Sequence, residues 1–340
     1  MSAEARVAVE RVFGAPVASP FRATVLVIAY RMAGTILAAL ESVLAQDLPC
    51  EVIVSDDCSG DDALDRCAAR LAGYVGPHRV RLRSTAENRG LCGHLVELAA
   101  LATAPILVFQ AGDDASLPGR VSALLAELDA HPEAMLVGSS VDDVDAQGRR
   151  LVAATRGQPR RMAQRDFLRA GSMCTVLGAS MAVRRTLLVD LPPLVGKVED
   201  NMLSLRAALV GECRCLPEAL LRYRRHDANL GDWVFDRSGK DYATWERRQR
   251  RVAAMYDEIA ADQERCVAAL PGLDPERRRL GLALALLYRR EAAMRHAMLS
   301  PRRRDWLRPL WVGLNTPGLR RKAAERALKL LLPRRWFGRR

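Results

Sequence analysis

The chain of 340 residues contains no apolar run approaching the ~18 residues a membrane-spanning helix requires; its longest, Leu98–Phe109 and Leu280–Leu287, suit a buried strand and a helix face. It has no Gly-x-Gly-x-x-Gly and no Gly-x-x-x-x-Gly-Lys-Ser/Thr, so neither a dinucleotide-redox fingerprint nor a P-loop is supported. Its eight cysteines are scattered without a Cys-x-x-Cys pair, which argues against a zinc site and for the reduced thiols of a cytosolic protein. Glu4, Arg6 and Glu10 interrupt the first ten residues, so no secretory leader is expected. Repeats and low-complexity tracts are missing too.

Apolar residues make up 49% of the chain and charged residues 27%, an ordinary balance for a globular protein and one that excludes wholesale disorder. The charge is unevenly spread. From Asp236 to Arg340 there are 26 Lys and Arg against 12 Asp and Glu, a net +14, and since the whole chain is +12, residues 1–235 carry −2. A near-neutral region is followed by a basic one.

Strand and helix patterns alternate through the first part. Thr24–Ala29 is an unbroken, β-branched apolar run, as expected of a strand covered on both faces. Helical spacing over 34–45 follows, then strand 51–55, a helix near 61–72, strand 79–83, a helix over 91–103 and strand 105–110. Four such alternations predict βαβ units, hence a parallel sheet with right-handed crossovers. Beyond it the pattern predicts helix 117–130, strand 134–139, a hairpin turn at 146–148, strand 176–183, a helix from 198 to about 210 and a closing strand over 213–223. Only helical patterns follow.

In an open parallel sheet, ligands bind beyond the carboxyl ends of the strands. Four polar clusters fall there: Ala29-Tyr30-Arg31, Asp56-Asp57, Asn88-Arg89-Gly90 and Asp113-Asp114. The last lies in Phe109–Arg120, FQAGDDASLPGR. Paired acids in that position suit a divalent metal that itself holds a diphosphate, because hard cations take oxygen ligands and share them with substrate phosphates. They equally suit an Asx-turn and helix N-cap.

Taken together, VLVIAYRMAGTILAALESVLAQ, EVIVSDDCSGDD, ENRG, FQAGDDASLPGR, VLGASMAVRR, VEDNMLSLRAALVG and LLRYRRHDANL resemble, in order and spacing, the family 2 inverting glycosyltransferases of GT-A fold. The resemblance covers about residues 22–230. It implies an α/β fold, a mostly parallel mixed sheet with flanking helices. It also implies Mn²⁺ or Mg²⁺ as cofactor, a nucleotide-diphosphate sugar of UDP type as donor, and a glycan or lipid-linked hydroxyl as acceptor, in cell-surface polysaccharide synthesis.

By the same resemblance Ala29, Tyr30, Asp56 and Asp57 hold the nucleotide, with Asp57 favoured for the base or ribose, and Asn88 and Arg89 also bind the donor, Arg89 reaching the base or diphosphate. Asp114 matches the direct metal ligand and Asp113 faces the sugar or ribose. Many relatives carry an acid two residues before this pair, where this chain has Ala111; one ribose or sugar contact is lost, but not the metal position. Glu199-Asp200 match the catalytic pair, with Asp200 as general base. One tension attends that role, since a helix N-terminus lowers a carboxyl's pKa and weakens it as a base. Gly178 matches the small-residue loop that leaves room for the donor sugar or acceptor, and His226 a histidine on the metal or diphosphate.

The expected organisation is an N-terminal arm (1–20), a catalytic domain (21–232) and a helical basic region (233–340). In the last, Trp306, Trp311, Trp336 and Phe337 sit among cations, the pattern of an element docking on an anionic membrane surface or of helices packed on the catalytic domain with a solvated arginine face. No nucleic-acid-binding motif accompanies the charge. A cytoplasmic enzyme, peripheral on the inner face of the cell membrane, is the resulting expectation. A sugar nucleotidyltransferase or an inactive nucleotide-sugar binder are the rivals; the first would want a Gly-rich, basic loop after the first strand, which Tyr30–Gly34 matches poorly.

Overall fold

The structure, a computed structural model, describes residues 10–14, 20–155, 159–171, 175–226 and 241–337. The expected N-terminal arm therefore lies largely outside the described residues, as do 227–240. Elements run β1 (Glu10–Phe13), β2 (Ala23–Ala29), α1 (Ile36–Leu44), β3 (Glu51–Asp56), α2 (Ala63–Leu71), β4 (Arg79–Ser84), α3 (Gly90–Leu101) and β5 (Ile106–Ala111). Next come β6 (Ala115–Ser116), α4 (Arg120–Ala130), β7 (Ala134–Val144), β8 (Arg150–Thr155), β9 (Arg161–Met162) and α5 (Gln164–Ala170). A 3₁₀ turn, Gly178–Ser180, precedes β10 (Ala182–Arg184), α6 (Thr186–Val189), α7 (Glu199–Val210) and β11 (Glu212–Arg224). The remaining helices are α8 (Tyr242–Ala269), α9 (Pro275–Leu299), α10 (Arg304–Leu314) and α11 (Arg320–Ala327).

The chain divides into two compact units, the first comprising 1–161, 176–207 and 211–225, the second 162–175, 208–210 and 226–340. In the first, the strand order is β1-β4-β3-β2-β5-β10-β7-β11-β6, with β8 on the far end of β7. The β4-β3-β2-β5 nucleus is parallel, and so is β7 with β11. β1, β10, β6 and β8 join antiparallel. The unbroken apolar runs explain the nucleus, since all of β3 and all of β2 except Ile28 are buried. α1 and α2 place Ile36, Leu40, Val43, Cys67 and Leu71 in the same core as Val25, Val27, Val52 and Val54.

Two local expectations change. The strand expected over 176–183 shrinks to Ala182–Arg184, because Gly178–Ser180 turns as a 3₁₀ helix instead of continuing the ladder. Residues 10–13, within the expected arm, form an edge strand on β4, where Glu10 ion-pairs with Arg81 at 2.8 Å. The seven described cysteines are free thiols.

In the second unit, Asp241 and Asp274 cap α8 and α9 by accepting from Thr244 N at 2.7 Å and Arg277 N at 3.0 Å. The core gathers Trp245, Met294, Met298, Trp306, Leu310 and Phe337. Here the expectation of interfacial aromatics is corrected. Trp306 and Phe337 are core side chains, with Phe337 edge-on to Trp245 at 5.0 Å and 5.9 Å from Trp306; only Trp311 and Trp336 are exposed. Periodicity could not separate these two pairs, because arginine and tryptophan alternate along the whole segment.

A buried charge cluster also holds this unit. Glu291, fully buried, accepts from Arg326 Nη1 at 2.8 Å and Nη2 at 2.5 Å, and from Arg295 Nε at 3.0 Å. Removing one partner of such a group strands the rest without compensation, at a cost of about 3–5 kcal/mol. All five tryptophans follow residue 226, so their fluorescence reports on this unit. Glu291→Ala should therefore lower the unfolding free energy followed by tryptophan emission by about 3 kcal/mol or more; an unchanged denaturant midpoint would show that the cluster contributes nothing net.

Candidate active site

The carboxyl ends of β2, β3 and β5 meet through backbone hydrogen bonds. Asp57 N donates to Ala29 O at 2.9 Å, and Gly112 N donates to Ile28 O at 2.9 Å. The turn after β5 thus hangs on the end of β2, beside the turn after β3. A Cβ at Gly112 would lie 3.0 Å from both Ile36 Cδ1 and Met32 Sδ, so any larger residue would make these neighbours shift.

Asp56 and Asp57 divide their work. Asp56 Oδ2 accepts from Ser59 N at 2.8 Å and its Oδ1 bonds Ser59 Oγ, which accepts in turn from Arg31 N at 2.6 Å. This chain of bonds holds Arg31 (φ 56) and Cys58 (φ 59) in the left-handed region, a conformation that non-glycine residues adopt at some cost. Asp57 Oδ1 accepts from Thr85 Oγ1 at 3.1 Å and Arg89 N at 2.9 Å, while Asn88 Nδ2 donates to Asp57 O at 3.1 Å. Ala29, Asp57, Asn88 and the Arg89 backbone are therefore one cluster. The Arg89 guanidinium instead pairs with Glu87 at 2.7 Å and comes within 3.7 Å of Glu97. Tyr30, 41% exposed, stands open at the end of β2.

Asp113 and Asp114 are both buried. Asp114 Oδ1 accepts from Arg224 N at 2.8 Å, and Arg224 Nε donates to Asp113 O at 2.8 Å. Asp114 Oδ2 is buried and has no hydrogen-bond donor among the described residues. Burial, and after it the Asp113 charge, push Asp114 well above the usual carboxylate range, against the pull of the Arg224 N–H. A buried, partnerless carboxylate oxygen beside a second acid is the donor set a hard divalent cation takes, and in that respect the residues fit one. Among the described residues no three His, Cys, Asp or Glu side chains converge into a metal site.

This turn is fixed by residues to which the sequence reading gave no role. Gln110 Nε2 donates to Ala111 O and Asp114 O, both at 3.0 Å. Its Oε1 accepts from Ser116 Oγ at 2.6 Å and Arg120 Nη1 at 3.0 Å. Arg120, fully buried, also donates from Nη1 to Ser116 Oγ at 2.9 Å, and from Nη2 to Phe109 O and Ala179 O, both at 2.8 Å. Desolvation lowers its pKa to about 10, with Asp114 pulling it back up. A sequence signal existed, because Arg120 lies in helical phase with Leu124 and Leu128, both buried.

Through Ala179 O, Arg120 ties the acidic turn to Gly178–Ser180, and that turn lies against the start of α7. A Cβ on Gly178 would fall 2.1 Å from Glu199 Oε1 and 3.5 Å from Asp200 Cβ. The N-cap of α7 is Val198, which makes no side-chain cap hydrogen bond; Asp200 Oδ1 accepts from the adjacent Asn201 N at 2.7 Å. Both carboxyls are half-buried yet enclosed closely enough that desolvation outweighs the helix terminus. Glu199 is pushed up to about 8 by desolvation and then by Asp200, and Asp200 to about 6 by desolvation. His226 is half-buried, two residues beyond Arg224, and opens the second unit.

This sheet, with its acidic turn after β5 and carboxylates opening α7, is the α/β architecture of GT-A glycosyltransferases. The chain aligns over 91% of its length with 92% of a Staphylococcus aureus TarS fragment (residues 1–349, solved with UDP-GlcNAc) at TM-score 0.53 and 17% identity. It aligns over 94% with 83% of the mannosyltransferase PcManGT of Pyrobaculum calidifontis, solved with GDP-Man and Mn²⁺, at TM-score 0.51 and 20% identity. Residues 24–191 match Glycosyl transferase family 2. The succinoglycan biosynthesis protein ExoO of Rhizobium meliloti (strain 1021) is 32% identical over 142 residues, 42% of this chain and 39% of that protein. The putative glycosyltransferase EpsE of Bacillus subtilis (strain 168) is 30% identical over 127 residues, 36% of this chain and 45% of that protein. The chain thus matches less than half the length of either.

Arg120→Lys tests the clamp. A lysine keeps the charge but not the planar fork, and would strand some of the four acceptors, each buried orphan costing about 1–3 kcal/mol. A loss of about 2–4 kcal/mol in urea unfolding is expected; wild-type stability would mean the guanidinium is dispensable.

Proposed function

We propose that the chain is a metal-dependent inverting glycosyltransferase moving a sugar from a nucleotide-diphosphate sugar, of UDP type, to a hydroxyl of a glycan or lipid-linked acceptor. The observation that carries the reading is the partnerless buried oxygen of Asp114, held by hydrogen bonds in one framework with Asp57 and with the turn facing Asp200. Cell-surface polysaccharide synthesis is the proposed setting; a relative named for succinoglycan biosynthesis supports it. Solved structures of similar fold hold UDP-GlcNAc, or GDP-Man with Mn²⁺, and these support the donor class and the cation. Residues 21–232 would be the catalytic domain.

Asp114, with Asp113 beside it, would hold Mn²⁺ or Mg²⁺, and His226 would contact the metal or diphosphate. When bound, the cation supplies Lewis-acid neutralisation of the leaving diphosphate. Asp57 offers Oδ2 to the base or ribose, its Oδ1 being engaged by Thr85 and Arg89. Asp56, occupied by Ser59, shapes the loop. Asn88 braces the Asp57 backbone, and Tyr30 would stack on the nucleotide. Gly178 leaves room at Glu199-Asp200 for the sugar or acceptor hydroxyl. Near neutral pH Asp200 is ionised and takes the hydroxyl proton as the new bond forms, while Glu199 keeps its proton and does not repel it.

Three outcomes follow for purified protein given UDP-sugars and Mn²⁺. Asp200→Asn should keep donor binding and lose about 10²–10⁴-fold in transfer, the usual worth of a general base; near-wild-type release of UDP would remove Asp200 from the mechanism. Asp114→Ala should abolish the metal-dependent part of donor binding in calorimetry, and unaltered affinity would sink the metal assignment. The base works deprotonated and its pKa is raised, so kcat/KM should fall as the pH drops through about 6. A profile flat to pH 5 would contradict a base with that pKa.

A further inference from the structure

The second unit carries an exposed surface whose chemistry is separate from the site above. α10 has two faces. Trp306, Leu310 and Gly313 pack inward, whereas Leu307 (57% exposed), Trp311 (66%) and Leu314 (40%) form an outward stripe. Helical phase puts the exposed Arg304 and Arg308 along one flank of that stripe. Arg303 then draws a second apolar edge alongside, since its guanidinium donates to Lys329 O at 3.0 Å and also to Leu330 O and Leu332 O. That edge exposes Leu331 (83%) and Trp336 (46%). Side chains of this size left in water over two adjoining elements mark an interaction surface.

Charge identifies the partner. From Arg302 to Arg340 there are 13 Lys and Arg against 2 Asp and Glu, a net +11. Arg302, Arg308 and Arg320 are exposed and have no acidic partner among the described residues. A protein partner would need matching acids, and a second copy of the same surface would set arginine against arginine. Leucine and tryptophan flanked by unneutralised arginine complements a bilayer interface with anionic headgroups, where aromatic rings lie at the interface and cations meet lipid phosphate. Among the described residues no helix is long and apolar enough to cross a membrane.

We infer that the outer stripe of α10, joined by the Leu331–Trp336 edge, is the surface by which this chain docks on an anionic lipid bilayer, with Trp306 and Phe337 serving as its internal support. This rests on the peripheral location expected of the basic region and not on the transfer chemistry.

The test is flotation of the full chain with phosphatidylcholine vesicles containing phosphatidylglycerol, alongside pure phosphatidylcholine. Binding to the mixed vesicles should exceed binding to the neutral ones at least tenfold and weaken with salt. The double variant Leu307→Ser, Trp311→Ser should lose at least tenfold in binding with its melting temperature unchanged, because both side chains are exposed. Asp200→Asn should float as the wild type does, which separates failure of docking from failure of the transfer mechanism. Equal flotation of wild type and double variant would overturn the assignment. So would a wild type that self-associates in gel filtration, with the double variant monomeric and neither binding lipid.

Discussion

One buried guanidinium organises the first unit. Arg120 joins strand, turn and loop by donating to Phe109 O, Gln110 Oε1, Ser116 Oγ and Ala179 O, none of which belongs to a charged group. A buried cation surrounded by neutral acceptors is stable only if its bonds are well made and a counter-charge lies near, and Asp114 is that charge. Burial and Asp113 leave Asp114 raised, but the Arg224 N–H and Arg120 pull it part of the way back down. Acid and base therefore support one another across a turn, and their shared rigidity sets the distance from the acidic pair to the Gly178 loop.

At the start of α7 two effects oppose each other. The helix terminus favours ionised carboxylates, by about 0.3–1 kcal/mol in exposed settings. Desolvation acts the other way and prevails at both Glu199 and Asp200, with the Asp200 charge adding to it at Glu199. Gly178 packs against them, where a Cβ would fall 2.1 Å from Glu199 Oε1. Their environments separate them, leaving one carboxyl ionised and its neighbour protonated near neutral pH. That division is available to a proton-transfer site and serves no purpose in a helix cap.

The second unit uses its arginines in three ways that the sequence does not distinguish. Arg326 and Arg295 satisfy the buried Glu291, Arg303 saturates backbone carbonyls, and Arg308 and Arg320 remain in solvent. Tryptophan divides likewise, with Trp245 and Trp306 in the core and Trp311 and Trp336 outside. Lys329 sits 5.5 Å above the Trp245 ring and 5.7 Å above Phe337, so even a cation helps close the aromatic cluster.

Local patterns of side chains were enough to define the parallel nucleus, its helices and the positions of Asp57, Asp114 and Asp200 at element ends. Continuous apolar runs and helical periods express burial directly, and turns expose polar residues wherever strands stop. Other features depended on which elements became neighbours. Arg120 and Arg224 matter because their long side chains reach backbone carbonyls that local spacing cannot relate, up to 111 residues away in the case of Arg224 and Asp113. The short β10, the crowding at Gly178 and the raised carboxyls of α7 arise from the same kind of contact. Periodicity marks which faces of the C-terminal helices are apolar, but only packing decided which aromatic rings those faces bury and which they leave to meet a partner.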